Sequence, residues 1–441
     1  MKVVSLKGVP PEIEAYALSR YSRSSKTIEE SLEEITEKKA SDFLSRVYLG
    51  FSHSSVGDLA NVSLAIEDVS LLAAMEIVDD PQWAGIEKST RYNDYSKPKY
   101  YTPTYLIGEE LDLYTNAINN LLSAYTQVFN LVYDALKSCI DKPIIMPAPQ
   151  YTSALRARAF DCARYLLPLA MNTSLGQITS ARVLERQLQH LNESPYPEIH
   201  YIAESMKSSA NEVVPTLLKY TKPSGYSYEQ QENLKCMANK YGIYNDGGYF
   251  GKDVQLAYPH DVTREMVATA FYEVSPDASR YLGILGNVLS LTDDQMQNIS
   301  GCLWESRGDH DEWCTTQRSG YVFNFDIVTD IGAYRDLHRH RRCVQIHPQM
   351  LPIDLGHVFW DEVEELLLPQ EVVESLKKTD ISIIYNNAMG RSYESIGKMR
   401  FIDRISAQYL LPLGWKTKFL LKADAAEIAY IIELRSKEGG H

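Results

Sequence analysis

The sequence predicts an α+β protein in two related halves, with helices packed on a modest, mostly antiparallel sheet. Three observations predict it. A proline-centred segment occurs twice, at 163–175 and 407–419. Upstream of each copy, an alternating apolar stretch runs directly into a helical pattern. Long amphipathic stretches separate these units in both halves.

The repeat reads ARYLLPLAMNTSL in its first copy and AQYLLPLGWKTKF in its second. Seven of thirteen positions are identical at an offset of 244 residues: Ala163/Ala407, Tyr165/Tyr409, Leu166/Leu410, Leu167/Leu411, Pro168/Pro412, Leu169/Leu413 and Thr173/Thr417. Each copy is followed by an amphipathic helical pattern, SARVLERQLQHL in one and ADAAEIAYIIELR in the other. The upstream strand–helix units are NVSLAIEDVSLLAAMEIV, 61–78, and YVFNFDIVTDIGAYRDLH, 321–338. In both, a period of two gives way to a period of 3.6. A long helix is predicted from Glu109 to about Cys139 on the spacing of Leu113, Ile118, Leu121, Leu122, Tyr125 and Phe129. Helices are also predicted over 357–377 and 395–411. The stretch 221–262, with TKPSGYSY, NDGG and YPHD, marks the connection between the halves. The predicted domains are therefore 1–222 and 223–441.

Length and composition narrow the function classes. The 441 residues suit two or three domains, and 44% apolar with 23% charged residues is ordinary for a soluble globular chain. No apolar run reaches membrane-spanning length, so no membrane is expected. The N-terminus MKVVSLKGVPPEIEAYALSR lacks the apolar core and cleavage site of a signal peptide. The six cysteines form no C-x-x-C pair and read as reduced core thiols in a cytoplasmic protein; no metal site is expected. A net charge of −14 argues against nucleic-acid binding, which needs a basic face. Arginines converging in a pocket still allow an anionic small substrate.

Arg339-His340-Arg341-Arg342 closes the helix that follows strand 321–328. Such a cluster is either a cationic helix C-terminus favoured by the macrodipole or a cradle for an anion. Glu87-Lys88-Ser89-Thr90-Arg91-Tyr92 places a hydroxyl and an arginine in one loop, which suits either a phosphate or a polar surface turn. Arg164, Arg182 and Arg435 lie beside apolar stretches, where a lone arginine is more often an ion-pair residue. There is no G-x-G-x-x-G, Walker loop, H-E-x-x-H or G-x-S-x-G, which disfavours dinucleotide folds, ATPases, zinc proteases and serine hydrolases.

Taken together, these segments resemble the flavin-dependent thymidylate synthases, in a tandem-duplicated form. The hallmark of that family is R-H-R, seven residues, then S-x-R. In the first half Ser89 and Arg91 match the serine and arginine, but Asp79, Asp80 and Pro81 stand at R-H-R. In the second half Arg339, His340 and Arg341 match R-H-R, but Gln349 and Leu351 replace the serine and arginine. The nucleotide-contacting arginine before LLP is Arg164 in the first half and Gln408 in the second. A later nucleotide-contacting arginine is Leu191 in the first half and Arg435 in the second. The family's flavin-contacting Asn-x-Arg is Ser180 and Arg182 in the first half, Asp424 and Ala426 in the second. His53 and Ser55 resemble its H-x-S/T entry to the flavin site. The resemblance spans roughly 45–220 and 320–441, and the family's last helix runs on past the closing ELRSKEGGH.

The family builds each site from neighbouring subunits of a homotetramer. The resemblance implies two diverged copies that share one site, and a homodimer that mimics the tetramer. It implies reductive methylation of dUMP to dTMP, with FAD as cofactor and methylenetetrahydrofolate and NADPH as co-substrates. Glu87, Lys88, Ser89, Thr90, Arg91, Arg164, Asp336, Arg339 and Arg435 would contact the nucleotide, with Ser89, Arg91 and Arg339 closest to the chemistry. His53, Ser55, Ser180, Arg182, Arg339, His340 and Arg341 would hold the flavin. The degenerate site at Asp79, Asp80 and Pro81 would be structural. Two other readings fit the same residues: a related flavin enzyme transferring another one-carbon group, such as a hydroxymethylase, and a non-catalytic nucleotide-binding paralogue.

Overall fold

The computed structural model describes residues 5–20, 27–46, 54–95, 99–243, 253–257, 262–275, 279–306, 308, 314, 316, 323–347, 377–423 and 425–436. The first half contains α1 (Pro11–Ser19), α2 (Ile28–Glu34), α3 (Glu37–Leu44), β1 (Asn61–Ser70), α4 (Leu71–Ile77), β2 (Gly85–Glu87), α5 (Gly108–Cys139), α6 (Ala148–Ala163), β3 (Asn172–Ser180), α7 (Ala181–Leu191) and α8 (Pro197–Asn211). The second half contains α9 (Tyr226–Tyr241), β4 (Val254–Ala257), α10 (Val262–Glu273), α11 (Tyr281–Leu289), α12 (Asp293–Cys302), β5 (Phe323–Asp330), α13 (Ile331–His338) and β6 (Val344–Ile346). It closes with α14 (Lys377–Ile402), α15 (Arg404–Tyr409), β7 (Lys416–Ala423) and α16 (Ala425–Ser436). The class is α+β, as the sequence predicts.

The strand-to-helix switches share one local cause. Ser70, Ser180 and Asp330 each end a strand in extended backbone and cap the next helix. Their side chains accept from Ala73 N at 2.9 Å, Val183 N at 3.3 Å and Ala333 N at 2.6 Å. Such a cap satisfies a backbone donor that the first helical turn leaves open. The expected unit at 61–78 is therefore β1 followed by α4, and that at 321–338 is β5 followed by α13.

Two other expectations are corrected. The helix predicted over 395–411 is the end of α14, a break, and then α15. Asp403 makes the break, because its carboxylate accepts from Ile405 N at 3.1 Å and Ser406 N at 2.9 Å and so starts a new helix. The stretch 221–262 is more than a connection, since it holds α9 and β4. The helix predicted over 357–377 lies outside the described residues except for Lys377. Cys162, Cys302 and Cys343 are buried thiols, but Cys139 and Cys236 are exposed. Among the described residues no helix is long and apolar enough to cross a membrane, and no cluster of metal ligands occurs.

The chain folds as two compact units, 1–88 with 173–224, and 89–172 with 225–441. The first unit holds a three-stranded sheet in the order β1-β3-β2, with β2 antiparallel to β3. Its α1 is tied down by Glu12, whose carboxylate accepts from Thr216 N at 2.6 Å and Thr216 Oγ1 at 2.9 Å. The second unit holds a four-stranded antiparallel sheet in the order β4-β5-β7-β6. Helices α9 to α12 cover it through an apolar core that includes Leu234, Phe271, Tyr281, Val288 and Leu420. Two buried ion pairs cross that core: Glu265 meets the Lys422 ammonium, and Arg280 Nε donates to Asp326 Oδ2 at 2.7 Å. Burial pushes Lys422 down to about 7.

Within the second unit the two LLP segments pair with each other. Leu169 N donates to Leu411 O at 2.8 Å, and Leu413 N donates to Leu167 O at 2.9 Å. At the repeat offset these bonds are images of one another, so the contact has local two-fold character about Pro168 and Pro412. Gly414 N extends the contact with a bond to Tyr165 O at 2.7 Å. A Cβ on Gly414 would lie 2.5 Å from Tyr385 Oη and 3.1 Å from Tyr165 O. Gly390, inside α14, has nothing within 4 Å of that position. Gly414→Ala is therefore expected to destabilise the protein by about 1–3 kcal/mol. Gly390→Ala is expected to stabilise it by roughly 0.5–1 kcal/mol. Denaturant unfolding of both variants beside wild type checks the pair of opposite signs.

Candidate active site

The S-x-R loop begins the second unit. Ser89 is half-buried, its Oγ accepts from Arg91 N at 3.2 Å, and its carbonyl accepts from Asn93 Nδ2 at 2.8 Å. These bonds bend the loop and aim the Arg91 side chain at α6. There Asp161 receives it as a fork, from Nε at 2.6 Å and Nη2 at 2.9 Å. The hydrogen bonds to Asp161, more than its charge alone, hold the Arg91 pKa above the usual arginine value. Thr90 is buried beside them.

Arg164 follows α6, one turn after Asp161. Only 2% of its side chain is exposed, and its Nη2 donates to Asp336 Oδ2 at 3.0 Å. Burial works against this charge, but Asp336 foremost, with Tyr165 and Asp161, raises the pKa overall. Asp336 projects from α13 in the other half of the sequence. The LLP pairing makes this meeting possible, because it brings the residue two before Leu166 up to the helix that follows β5.

Asp336 also serves Arg435, on α16. Its backbone carbonyl accepts from Arg435 Nη2, while Arg435 Nε donates to His340 Nε2 at 3.2 Å. Burial lowers the Arg435 pKa; Asp336 opposes this, while the neighbouring charges of Arg339 and Arg91 add to the lowering. Asp161 thus holds Arg91, Asp336 holds Arg164 and Arg435, and the charges of Arg91 and Arg339 lie close enough to act on Arg435. Beside them, Ala333, Asp336, Leu337, Ile431, Ile432, Arg435 and Ser436 line a cavity of about 350 Å³ between α13 and α16. Gathered guanidiniums repel one another at short range, and an arriving anion relieves that repulsion.

The R-H-R tripeptide is divided by its backbone. Arg339 is the C-cap of α13 and is exposed, as is Arg341, whereas His340 is buried. Burial first, then the Arg435 charge, pulls the His340 pKa down to about 4, so the ring is neutral at pH 7.

The remaining predicted residues lie in the first unit. Glu87 is buried at the end of β2, and Lys88 is exposed with its N–H donating to Ser174 O at 2.8 Å. Ser55 is exposed in a short 3₁₀ turn, Ser54–Leu59. Asp58 of that turn accepts from Ser180 Oγ at 3.4 Å and from Arg182 Nη1 at 3.0 Å, at the start of α7. The first turn of α7 is itself satisfied, by Ala181 N to Ala60 O at 2.7 Å and Val183 N to Ser180 Oγ at 3.3 Å. His53, Gln349, Leu351 and Asp424 lie outside the described residues. At the degenerate hallmark, Asp80 is bound by Arg186 through two bonds of 2.8 and 3.0 Å, and Asp79 lies 3.8 Å from His190.

Sequence reasoning missed Asp161, Asp58 and Glu427, the partners of predicted site residues. Asp161 had a signal, since a carboxylate three residues before Arg164 shares a helix face with it. Asp58 and Glu427 had none.

The family described as thymidylate synthase complementing protein, Thy1, matches residues 6–216 and 319–441. The chain belongs to this family. Among relatives of this Thy1 chain, a UPF0159 protein of Chlamydia muridarum is 26% identical over all of this chain and 86% of its own length. A UPF0159 protein of Thermoplasma acidophilum is 23% identical over 96% of this chain and 88% of its own length. A flavin-dependent thymidylate synthase of Clostridium tetani is 25% identical over 51% of this chain and 88% of its own length. Among solved structures, a flavin-dependent thymidylate synthase of Helicobacter pylori complexed with FAD and dUMP is 18% identical. It covers 50% of this chain and all of its own, with a TM-score of 0.30. Helices α9 to α12 fall in the stretch between the two Thy1 matches.

Breaking the central pair of this site has a defined cost. Asp336→Asn removes the charge that accompanies a nearly fully buried guanidinium. We expect a loss of about 3–5 kcal/mol in stability, read from the denaturant midpoint. A variant as stable as wild type would show that Arg164 is held by other groups.

Proposed function

We propose that the protein is a flavin-dependent thymidylate synthase that converts dUMP to dTMP. One observation carries the reading: Arg164 from one half of the sequence and Arg435 from the other both bond Asp336, and the charges of Arg91 and Arg339 act on Arg435. Membership of the Thy1 family and the likeness to the Clostridium tetani flavin-dependent thymidylate synthase support it. Residues 1–222 and 223–441 are then two copies of an ancestral fold. The reciprocal LLP bonds are what remains of a subunit interface, and a cytoplasmic homodimer takes the place of a tetramer.

In this reading Arg91 and Arg164 hold the nucleotide phosphate, with Ser89 as a hydroxyl partner and Glu87, Lys88 and Thr90 framing the loop. Arg339 and Arg435 donate to the uracil carbonyls and draw electron density from the ring, which makes C6 more electrophilic. No cysteine is needed as nucleophile. Ser55, Ser180 and Arg182 would offer donors to the phosphates of FAD, and Arg339 and Arg341 are the residues proposed for its ring. Bound FAD supplies the hydride chemistry, with NADPH as reductant and methylenetetrahydrofolate as carbon donor. What the chain itself contributes is position and fixed charge. Asp58 pairs with Arg182 and would have to yield it for the guanidinium to meet a cofactor phosphate. The Asp80–Arg186 pair fills the degenerate copy with its own counter-charge, so that copy binds no nucleotide.

The test is complementation of a thymidine-requiring strain that lacks its own synthase, together with assays on purified protein. Wild type is expected to support growth without thymidine and to be yellow, with flavin absorbance near 450 nm. Arg91→Ala and Arg339→Ala are each expected to cut turnover roughly 10²–10³-fold, the loss typical of one preorganised donor. A colourless wild-type protein that fails to complement, or either variant with full turnover, would overturn the reading.

A further inference from the structure

We propose that His340 is a positioning residue: with Glu427 it forms a buried chain that fixes the plane of the Arg435 guanidinium. This rests on the proposed function, and the contacts of His340 carry it. His340 is the middle residue of R-H-R, yet its side chain runs opposite to those of its neighbours. It is 6% exposed, while Arg339 and Arg341 face solvent. Both of its ring nitrogens are engaged. Nδ1 lies 3.5 Å from Oε1 of Glu427, itself only 3% exposed, and Nε2 accepts from Arg435 Nε at 3.2 Å. The Tyr430 ring meets the imidazole edge-on, with centroids 5.7 Å apart.

Elementary imidazole chemistry decides the protonation state. A guanidinium has only donors, so the nitrogen facing Arg435 must carry a lone pair. A carboxylate has only acceptors, so the nitrogen facing Glu427 must carry the proton. Only the neutral Nδ1–H tautomer satisfies both. The downward shift of the His340 pKa agrees, since burial and the Arg435 charge both disfavour a second proton. Glu427 thus sets the tautomer, and the tautomer offers Arg435 its acceptor. The same arrangement orients metal-ligating histidines, in which a carboxylate on one nitrogen fixes what the other can do.

The consequence falls on Arg435. Its Nε is directed to His340 and its Nη2 to the Asp336 carbonyl. Two bonds in different directions define the plane of a rigid fork. A guanidinium held this way delivers its charge to a bound anion without first losing side-chain freedom, which is the gain of preorganisation. Glu427 and Arg435 are eight residues apart on α16, so both ends of the chain come from one helix and the histidine from the turn after α13.

In the intact 441-residue chain, the role of His340 is separable from flavin binding. We expect His340→Ala to weaken dUMP binding about tenfold by calorimetry, with flavin content per chain unchanged. His340→Gln keeps an acceptor for Arg435 and a donor for Glu427, and is expected to stay within about threefold of wild type. Nitrogen-15 spectra of histidine-labelled protein at pH 7, assigned by the signal missing in His340→Gln, should show the neutral Nδ1–H tautomer. An Nε2–H or doubly protonated ring would overturn the proposal even in a chain that binds no dUMP. So would a His340→Ala protein that loses flavin while keeping its dUMP affinity, or a His340→Gln protein no better than His340→Ala. Failure of wild type to bind dUMP would instead count against the proposed function, and the tautomer would still judge the chain from Glu427 to Arg435.

Discussion

Two proline-centred segments exchange backbone hydrogen bonds in reciprocal pairs, and the placement of the site arginines depends on that exchange. Leu169 and Leu413 each donate to the other segment, at 2.8 and 2.9 Å. Arg164 precedes one of these segments by two residues, and Asp336 lies on the helix whose start, Gly332, donates to Leu413 O at 2.9 Å. The ion pair between them follows from this proximity. So does the approach of Arg435, which uses the Asp336 carbonyl. The backbone bonds are insensitive to side-chain identity, so both copies can keep the contact while other positions diverge. Gly414 marks how tightly the segments meet, since even a methyl group has no room there.

The carboxylates organise the cations. Asp161 grips Arg91 with two bonds, Asp336 holds Arg164, and Glu427 acts on Arg435 through His340. An arginine-rich pocket without such partners would scatter its long side chains into solvent. With them, each guanidinium has a set direction before any ligand arrives, at the cost of competition between carboxylate and ligand for the same donors. The pairing of Asp58 with Arg182 is half exposed and so the most weakly held of these.

The two halves of the sequence differ in what their sheets carry at matching positions. Lys422 in β7 and Asp326 in β5 are buried under α10 and α11, each with an opposite charge from those helices or the turn before them. The matching positions in the first copy are Ile178 and Ile66. In the first unit Ile178 is exposed and Ile66 is buried as an apolar side chain. Buried ion pairs add little net stability compared with apolar packing, but an offset register would leave a charge uncompensated. They therefore fix how the stretch between the two Thy1 matches seats on its sheet. Arg186 plays a comparable part in the first unit, where it neutralises Asp80.

Much of the fold was legible because it is written in local patterns. The strand–helix switches after Ser70 and Asp330 follow from alternation, helical spacing and a capping side chain, all within about eighteen residues of sequence. The long helix at Gly108–Cys139 follows from its apolar stripe. The break at Asp403 was missed, because a capping carboxylate inside a helical pattern looks like an ordinary surface acid. Of the site, the sequence by itself determined which residue types each copy retained: Ser89, Arg91 and Arg164 in one, Arg339, His340, Arg341 and Arg435 in the other. Only the tertiary structure decided which carboxylates hold them and which way His340 faces. Asp161, Asp336 and Glu427 are acids among many in an acidic chain, and their partners lie up to 172 residues away. Charge pairing acts over a few ångströms in space and leaves no period in sequence, so it becomes readable only once the chain has folded.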